Sequence, residues 1–266
     1  LLAVGAFAPD RVRAAAEEAF ADWSDDTGAG TDVSAPRRPG RGVVLVDRPG
    51  SAQSELRVGH LGVSRSHPDH VPLTALDYLL GGSFHSRLNL NLRERRGWTY
   101  GVRSRFAFRR GRGPFVVGTS VEREATRPAL EEIQEEIQRA ADGPIEPEER
   151  DLAVHGITRS LPRHFETPGR IAERAREIVI YDLPADYFSG HVERFEALEV
   201  EDLERVAAEH LEPGSLLAVV VGDGEAVADE IGETRGFDGA LRHRVWKRFD
   251  SSPAEPVERP DEQLPT

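Results

Sequence analysis

Between Trp98 and Ala141 the chain changes its hydrophobic period once, and that change narrows the possible folds most. Trp98, Tyr100, Val102, Phe106 and Phe108 alternate along one face of an expected strand. After a turn over Arg109–Gly113, Pro114 to Val121 reads as the hairpin partner. From Arg127 to Ala141 the spacing becomes helical, with Leu130, Ile133 and Ile137 on one side. Glu131, Glu132, Glu135 and Glu136 fall elsewhere and read as a solvated face. A hairpin followed at once by a one-sided helix calls for a sheet with helices laid against it. The expected class is α+β, a mostly antiparallel sheet covered by helices.

The flanking segments extend this layout. Val43–Val46 and Ser54–Val63 read as strands, the second with Leu56, Val58 and His60 on one face. Ser66-His67-Pro68-Asp69 starts a helix whose apolar side is Val71, Leu73, Leu76, Leu79 and Leu80, and Gly81-Gly82 ends it. Ser83 is the expected cap of the next helix and Gly97 its stop. Helical patterns follow over about 146–164, 168–181, 184–197 and 199–211, then a strand over Leu216–Val221 and a short helix over Gly224–Ile231. Leu1-Leu2-Ala3-Val4 recurs as Leu216-Leu217-Ala218-Val219, each copy followed by glycine, an acidic residue and a helix. The repeat predicts two tandem modules: the buried strand and helix of a preceding homologous module over 1–24, a Gly/Pro/Asp-rich linker over 25–41, a complete domain over 42–235, and an acidic, proline-rich tail over 236–266, expected to be partly disordered. With no methionine in the sequence, the chain is expected to begin inside a longer protein.

Composition removes several chemistries. There is no cysteine, so disulfides, thiolate metal sites and thiol nucleophiles are excluded. The net charge of -13 argues against nucleic acid as a partner. No apolar run approaches the ~20 residues that cross a bilayer, so no membrane partner is expected. The compartment stays open between bacterial cytoplasm and periplasm.

Functional chemistry gathers in Gly81–Gly101, GGSFHSRLNLNLRERRGWTYG. With Leu80 before it and Val102 after it, this segment resembles the second-domain signature of the pitrilysin/insulinase family of zinc metallopeptidases, which includes the mitochondrial processing peptidases. Gln53-Ser54-Glu55 and His67-Pro68-Asp69 share the resemblance. It implies an insulinase-like C-terminal domain in a zinc metalloendopeptidase that cleaves peptides or unfolded segments in a closed chamber. In that family an arginine and a tyrosine seven residues later face the metal site across the chamber. Arg93 and Tyr100 have that spacing. The resemblance makes both catalytic and substrate-binding: Arg93 would hold a peptide carbonyl, and Tyr100 would donate a hydrogen bond to the oxyanion formed as the peptide is attacked.

Taken alone, the residues give mixed support. As a helix, 84–96 places Phe84, Leu88 and Leu92 on a buried stripe with Arg93 roughly opposite, where its planar fork could face a cleft. Tyr100, by alternation, falls on the apolar face of its strand, as a core tyrosine would. The family's His-x-x-Glu-His motif does not occur in this chain. His67-Pro68-Asp69-His70, with His60 and His85 nearby, offers no placed glutamate and reads as a solvated helix cap, so no metal is assigned to any residue here. The resemblance then implies zinc from a missing N-terminal domain or a partner subunit, a homologous zinc-bearing partner, a dimer and a peptide substrate, with this chain inactive by itself. A non-catalytic structural or assembly subunit of the same fold is the alternative.

Overall fold

A computed structural model describes residues 1–23, 40–237 and 242–245. Most of the expected linker and most of the expected tail lie outside the described residues. The core is a six-stranded mixed sheet built from β1 (Gly42–Asp47), β2 (Gln53–Leu61), β3 (Val102–Phe106), β4 (Pro114–Glu122), β5 (Leu217–Gly222) and β6 (Arg242–Val245). The order is β3-β4-β2-β5-β1-β6. Pairings β2–β4, β2–β5 and β3–β4 are antiparallel, while β1 runs parallel to both β5 and β6. The strand at Arg242–Val245 lies within the segment expected to be a partly disordered tail.

Alternation sets the two faces of the sheet. Val43, Leu45, Leu56, Val58, Phe115, Val117, Ala218 and Val220 are buried beneath the helices. The opposite face carries half-exposed Val44, Val46, Leu217, Val219 and Val221 on β1 and β5. The register continues this face across the sheet: Val44 pairs Val219, which pairs Arg57, then Gly118, then Arg103.

The helices are α1 (Pro9–Ala19), α2 (His70–Asp77), α3 (Thr126–Asp142), α4 (Pro147–Ser160), α5 (Pro168–Tyr181), α6 (His191–Glu196), α7 (Val200–His210) and α8 (Gly224–Gly232). On α3, Leu130, Ile133 and Ile137 are fully buried, as the helical spacing predicts. The expected helix over 184–197 shortens to α6.

Three other expectations fail. Leu1–Phe7 is not a buried strand: among the described residues it joins no sheet, and Leu1 is 90% exposed. A lone apolar segment becomes a strand only with an edge to pair against, and the six strands are assembled without it. The strand predicted from Trp98 to Phe108 is only Val102–Phe106. The helix predicted from Ser83 starts at about 87, because 83–86 forms a turn, and the buried Ser83 hydroxyl makes no hydrogen bond.

Candidate functional site

The site is built on two π-helical turns, Tyr78–Gly82 and Asn89–Arg95. The first continues α2 and presses against β3. A Cβ on Gly81 would lie 2.5 Å from the Ser104 backbone nitrogen and 2.6 Å from its hydroxyl, so glycine lets helix and strand meet. In the same seam Ser104 donates to Asp77 Oδ1 at 2.6 Å. Burial pushes the Asp77 carboxyl up to about 6, against the lowering effects of that hydrogen bond and of the Arg105 charge.

The second turn carries Arg93. Its wider winding appears in the Arg96 N–H donating to the Asn91 carbonyl at 3.1 Å, a five-residue step. The turn ends at Gly97, whose φ of 69° suits glycine. Arg93 and Tyr100 are therefore separated by a loosened helix and a left-handed residue, not by helix and strand.

Leu88 and Leu92 are fully buried as expected, but Phe84 is not: it is 57% exposed. The Arg93 guanidinium lies 3.8 Å from the Phe84 ring centre, a cation–π contact. Arg93 Nη1 lies 3.2 Å from Glu94 Oε1 at an angle that makes no hydrogen bond, and this buried nitrogen has no hydrogen-bond partner. Tyr100 is 96% exposed. It precedes β3, so strand alternation does not turn its ring inward.

The backbone around Tyr100 is pinned all the same. The Thr99 and Thr119 hydroxyls are 2.9 Å apart, Thr119 donates to the Gly101 carbonyl at 3.0 Å, and the Gly101 N–H donates to Thr99 Oγ1 at 3.1 Å. Tyr100 is thus a solvent-facing phenol on a fixed main chain.

Asn89, unassigned by the sequence reading, closes the segment. Its buried amide donates to the Ser83 carbonyl at 2.9 Å and the Val102 carbonyl at 2.8 Å, and its Oδ1 accepts from the Val102 N–H at 2.9 Å. One side chain joins the residues that bracket Arg93 and Tyr100. Asn91 reaches α3, donating to Glu132 and Glu136 at 2.7 and 2.8 Å, and Arg96 also pairs with Glu132. Arg87 clamps Glu149 on α4 with two hydrogen bonds. Glu132 and Glu136 are therefore not a solvated face, because the turn supplies them with buried donors. A signal was present: asparagines within Leu88-Asn89-Leu90-Asn91-Leu92 are poor helix residues that demand polar partners.

The histidine segment also departs from expectation. Asp69 is not a solvated cap. It binds Arg205 Nη2 at 2.7 Å and His210 Nε2 at 2.8 Å, both on α7. The Arg205 hydrogen bond is the main force holding its carboxyl down at about 2. Among the described residues only His67, Asp69 and His210 gather as a metal-ligating group. They do not fit a catalytic zinc: Arg205 neutralises the carboxylate through both oxygens, the Asp69 N–H donates to His67 Nδ1, and the neighbouring Glu209 is itself held by Arg205 Nη1 at 3.0 Å.

The family model described as the peptidase M16 inactive domain matches residues 1–157. The chain resembles a peptidase M16 inactive domain from Pseudomonas fluorescens at 26% identity and a TM-score of 0.71, covering 81% of this chain and 52% of that one. A protease from Helicobacter pylori gives 20% identity and a TM-score of 0.71, over 82% of this chain and 54% of that one. A chain of Complex III2 from Candida albicans shares the fold at 12% identity and a TM-score of 0.68, over 83% and 54%. The chain thus spans about half the length of these structures. None of the curated proteins compared matches it. With the family model covering more than half its length, the chain belongs to the peptidase M16 family, as an inactive domain of that family.

Proposed function

We propose that this chain supplies the substrate-gripping half of a zinc metalloendopeptidase site. The carrying observation is the pinned loop from Ser83 to Val102, which leaves the Tyr100 phenol in solvent and lays Arg93 against an exposed ring. Arg93 binds a carbonyl of the peptide with its planar, permanently charged fork. Tyr100 donates a hydrogen bond from its hydroxyl to the developing oxyanion, and its fixed backbone limits reorganisation. The half-exposed valines of β1 and β5 give an extended peptide a surface to lie on. Zinc and the base that activates the attacking water would come from a homologous domain or subunit, so the working assembly is a pair of such domains around a chamber.

The test is peptide hydrolysis by the full-length protein together with its metal-bearing partner. Tyr100→Phe should lower kcat about 100-fold with little change in KM, as loss of one oxyanion donor does. Arg93→Ala should act mainly on KM. An unchanged kcat in Tyr100→Phe removes the oxyanion role. A second reading, a non-catalytic assembly subunit, is favoured by the shared fold with a Complex III2 chain. It predicts no hydrolysis from the full-length protein, with assembly indifferent to Tyr100→Phe.

A further inference from the structure

A cleft of about 700 Å³ lies between α5 and the end of β3, at the opposite end of that strand from Tyr100. Its walls carry five arginines (Arg65, Arg105, Arg109, Arg174, Arg176) against two glutamates, Glu173 and Glu177, a local excess of positive charge on a chain of net charge -13. Glu177 is already saturated. Arg65 binds its Oε1 at 2.9 and 3.1 Å, and Arg174 binds its Oε2 at 2.8 Å. Among the described residues, Arg105, Arg109 and Arg176 have no ion pair or side-chain hydrogen bond, and all three are exposed.

The rest of the lining is apolar or neutral. Phe106, Phe108 and Tyr181 form walls, and the Tyr181 hydroxyl fixes the cleft's width by donating to the Phe108 carbonyl at 3.2 Å. His70 packs on Phe108 with ring centres 4.4 Å apart, and its Nδ1 is buried without a hydrogen-bond partner. Burial, helped by Arg65, His191 and Arg194, holds His70 down at about 3, so it offers a neutral imidazole. An unpaired buried polar atom beside unpaired guanidinium groups and phenyl walls is a recognition surface, because each group gains most from a ligand that partners it. Arg105 also stands on the open sheet face, in register with Val116, Gly59 and Leu217. The chain from Tyr100 to Phe106 spans at most about 20 Å.

We infer that this cleft is a peptide subsite that binds a segment with acidic side chains set between apolar ones, its carboxylates on Arg105, Arg109 and Arg176 and its apolar side chains on the phenyl walls. That the ligand is a peptide rests on the reading of the chain as half of a peptidase site. Binding at the cleft is separable from the Arg93 and Tyr100 chemistry.

The experiment is a fluorescence anisotropy titration of the full chain with a labelled peptide alternating Glu with Leu and Phe, beside its Gln counterpart. The acidic peptide should bind about tenfold tighter or better than the Gln peptide. Arg109→Ser with Arg176→Ser should remove that preference, while Arg13→Ser with Arg48→Ser, which takes away the same charge elsewhere, should retain it. The titration reads binding without hydrolysis and without the metal-bearing partner, so a failure of the catalytic reading shows separately in the hydrolysis test. Equal binding of the two peptides, equal losses in both double variants, or full displacement by millimolar inorganic phosphate at constant ionic strength would each overturn the inference.

Discussion

The amide of Asn89 takes the place of a strand neighbour for Val102, pairing both the N–H and the carbonyl of that residue on the outer edge of the sheet. A side chain in this position both caps the edge and ties the Arg93 turn to the start of β3. Asn89→Leu keeps the branching and the number of side-chain heavy atoms but leaves buried backbone groups unpaired, so we expect it to cost about 2 kcal/mol in urea unfolding. Leu90→Asn, on an exposed neighbour, should cost little. Similar losses in the two variants would mean that the turn is held by its helical winding and not by the amide. Gly81 makes a related case by shape. Gly81→Ala drives a methyl into the Ser104 backbone, whereas at Gly82 the nearest atom is the Asp77 carbonyl oxygen at 3.0 Å. Of the two alanine variants, Gly81→Ala should be the more destabilising by roughly 1–3 kcal/mol.

At the scale of elements, strands and long helices follow the period of their apolar residues, and α3, α5, α7 and the hairpin lie close to where that period predicts. The π turns do not, because 100° per residue is the wrong angle for them. Phe84 leaves the buried stripe because 83–86 is a turn ahead of the helix, and Arg93 finds its ring as a partner. Tyr100 escapes the core because Gly97 and Thr99 shape the chain ahead of β3, a backbone effect that alternation cannot register. The seven-residue spacing of Arg93 and Tyr100 was legible; of Asn89 and Asn91 only the need for polar partners was, because which groups answer it, Ser83 and Val102 for one and Glu132 and Glu136 for the other, depends on how the segment folds. The Asp77–Ser104 seam adds a titratable element. Its folded carboxyl stands at about 6 against an ordinary 3.8, so between those values the native state binds more protons than the unfolded one. Stability from this group is therefore greatest below about 3.8 and falls as pH rises through about 6, by up to about 3 kcal/mol. Asp69 has the opposite sign: its stabilisation is complete above 3.8 and is lost as pH falls through about 2. In thermal melts across pH, Asp77→Asn, which can still accept from Ser104, should flatten the decline from pH 4 to 7 and keep the acid loss. A decline unchanged in that variant would assign the pH dependence to other groups.

Across the whole molecule, packing is uneven, and the unevenness falls on the side that carries the cationic cleft. α3 buries residues on every turn, among them Ala129, Leu130, Ile133, Ile137 and Ala140, whereas α5 buries none. What ties α5 to the sheet side is polar: the Arg65–Glu177 pair, the Tyr181 hydroxyl on the Phe108 carbonyl, and a guanidinium–ring contact of Arg65 with Tyr181 at 5.8 Å. A helix with little buried apolar area opens locally at a lower free energy than the core. Amide hydrogen exchange should therefore be about tenfold or more faster over 168–181 than over 126–142. Glu177→Gln sharpens the test. The Arg65 side chain is only 6% exposed, and a neutral amide leaves its charge poorly compensated. Exchange over 168–181 should then rise further while 126–142 keeps its protection. If protection falls equally in both helices, α5 unfolds with the core and the cleft is as rigid as the sheet. If it falls in α5 alone, the wall carrying Arg174 and Arg176 moves independently of the wall carrying Arg105 and Arg109. An acidic peptide spanning both walls should then restore protection to α5.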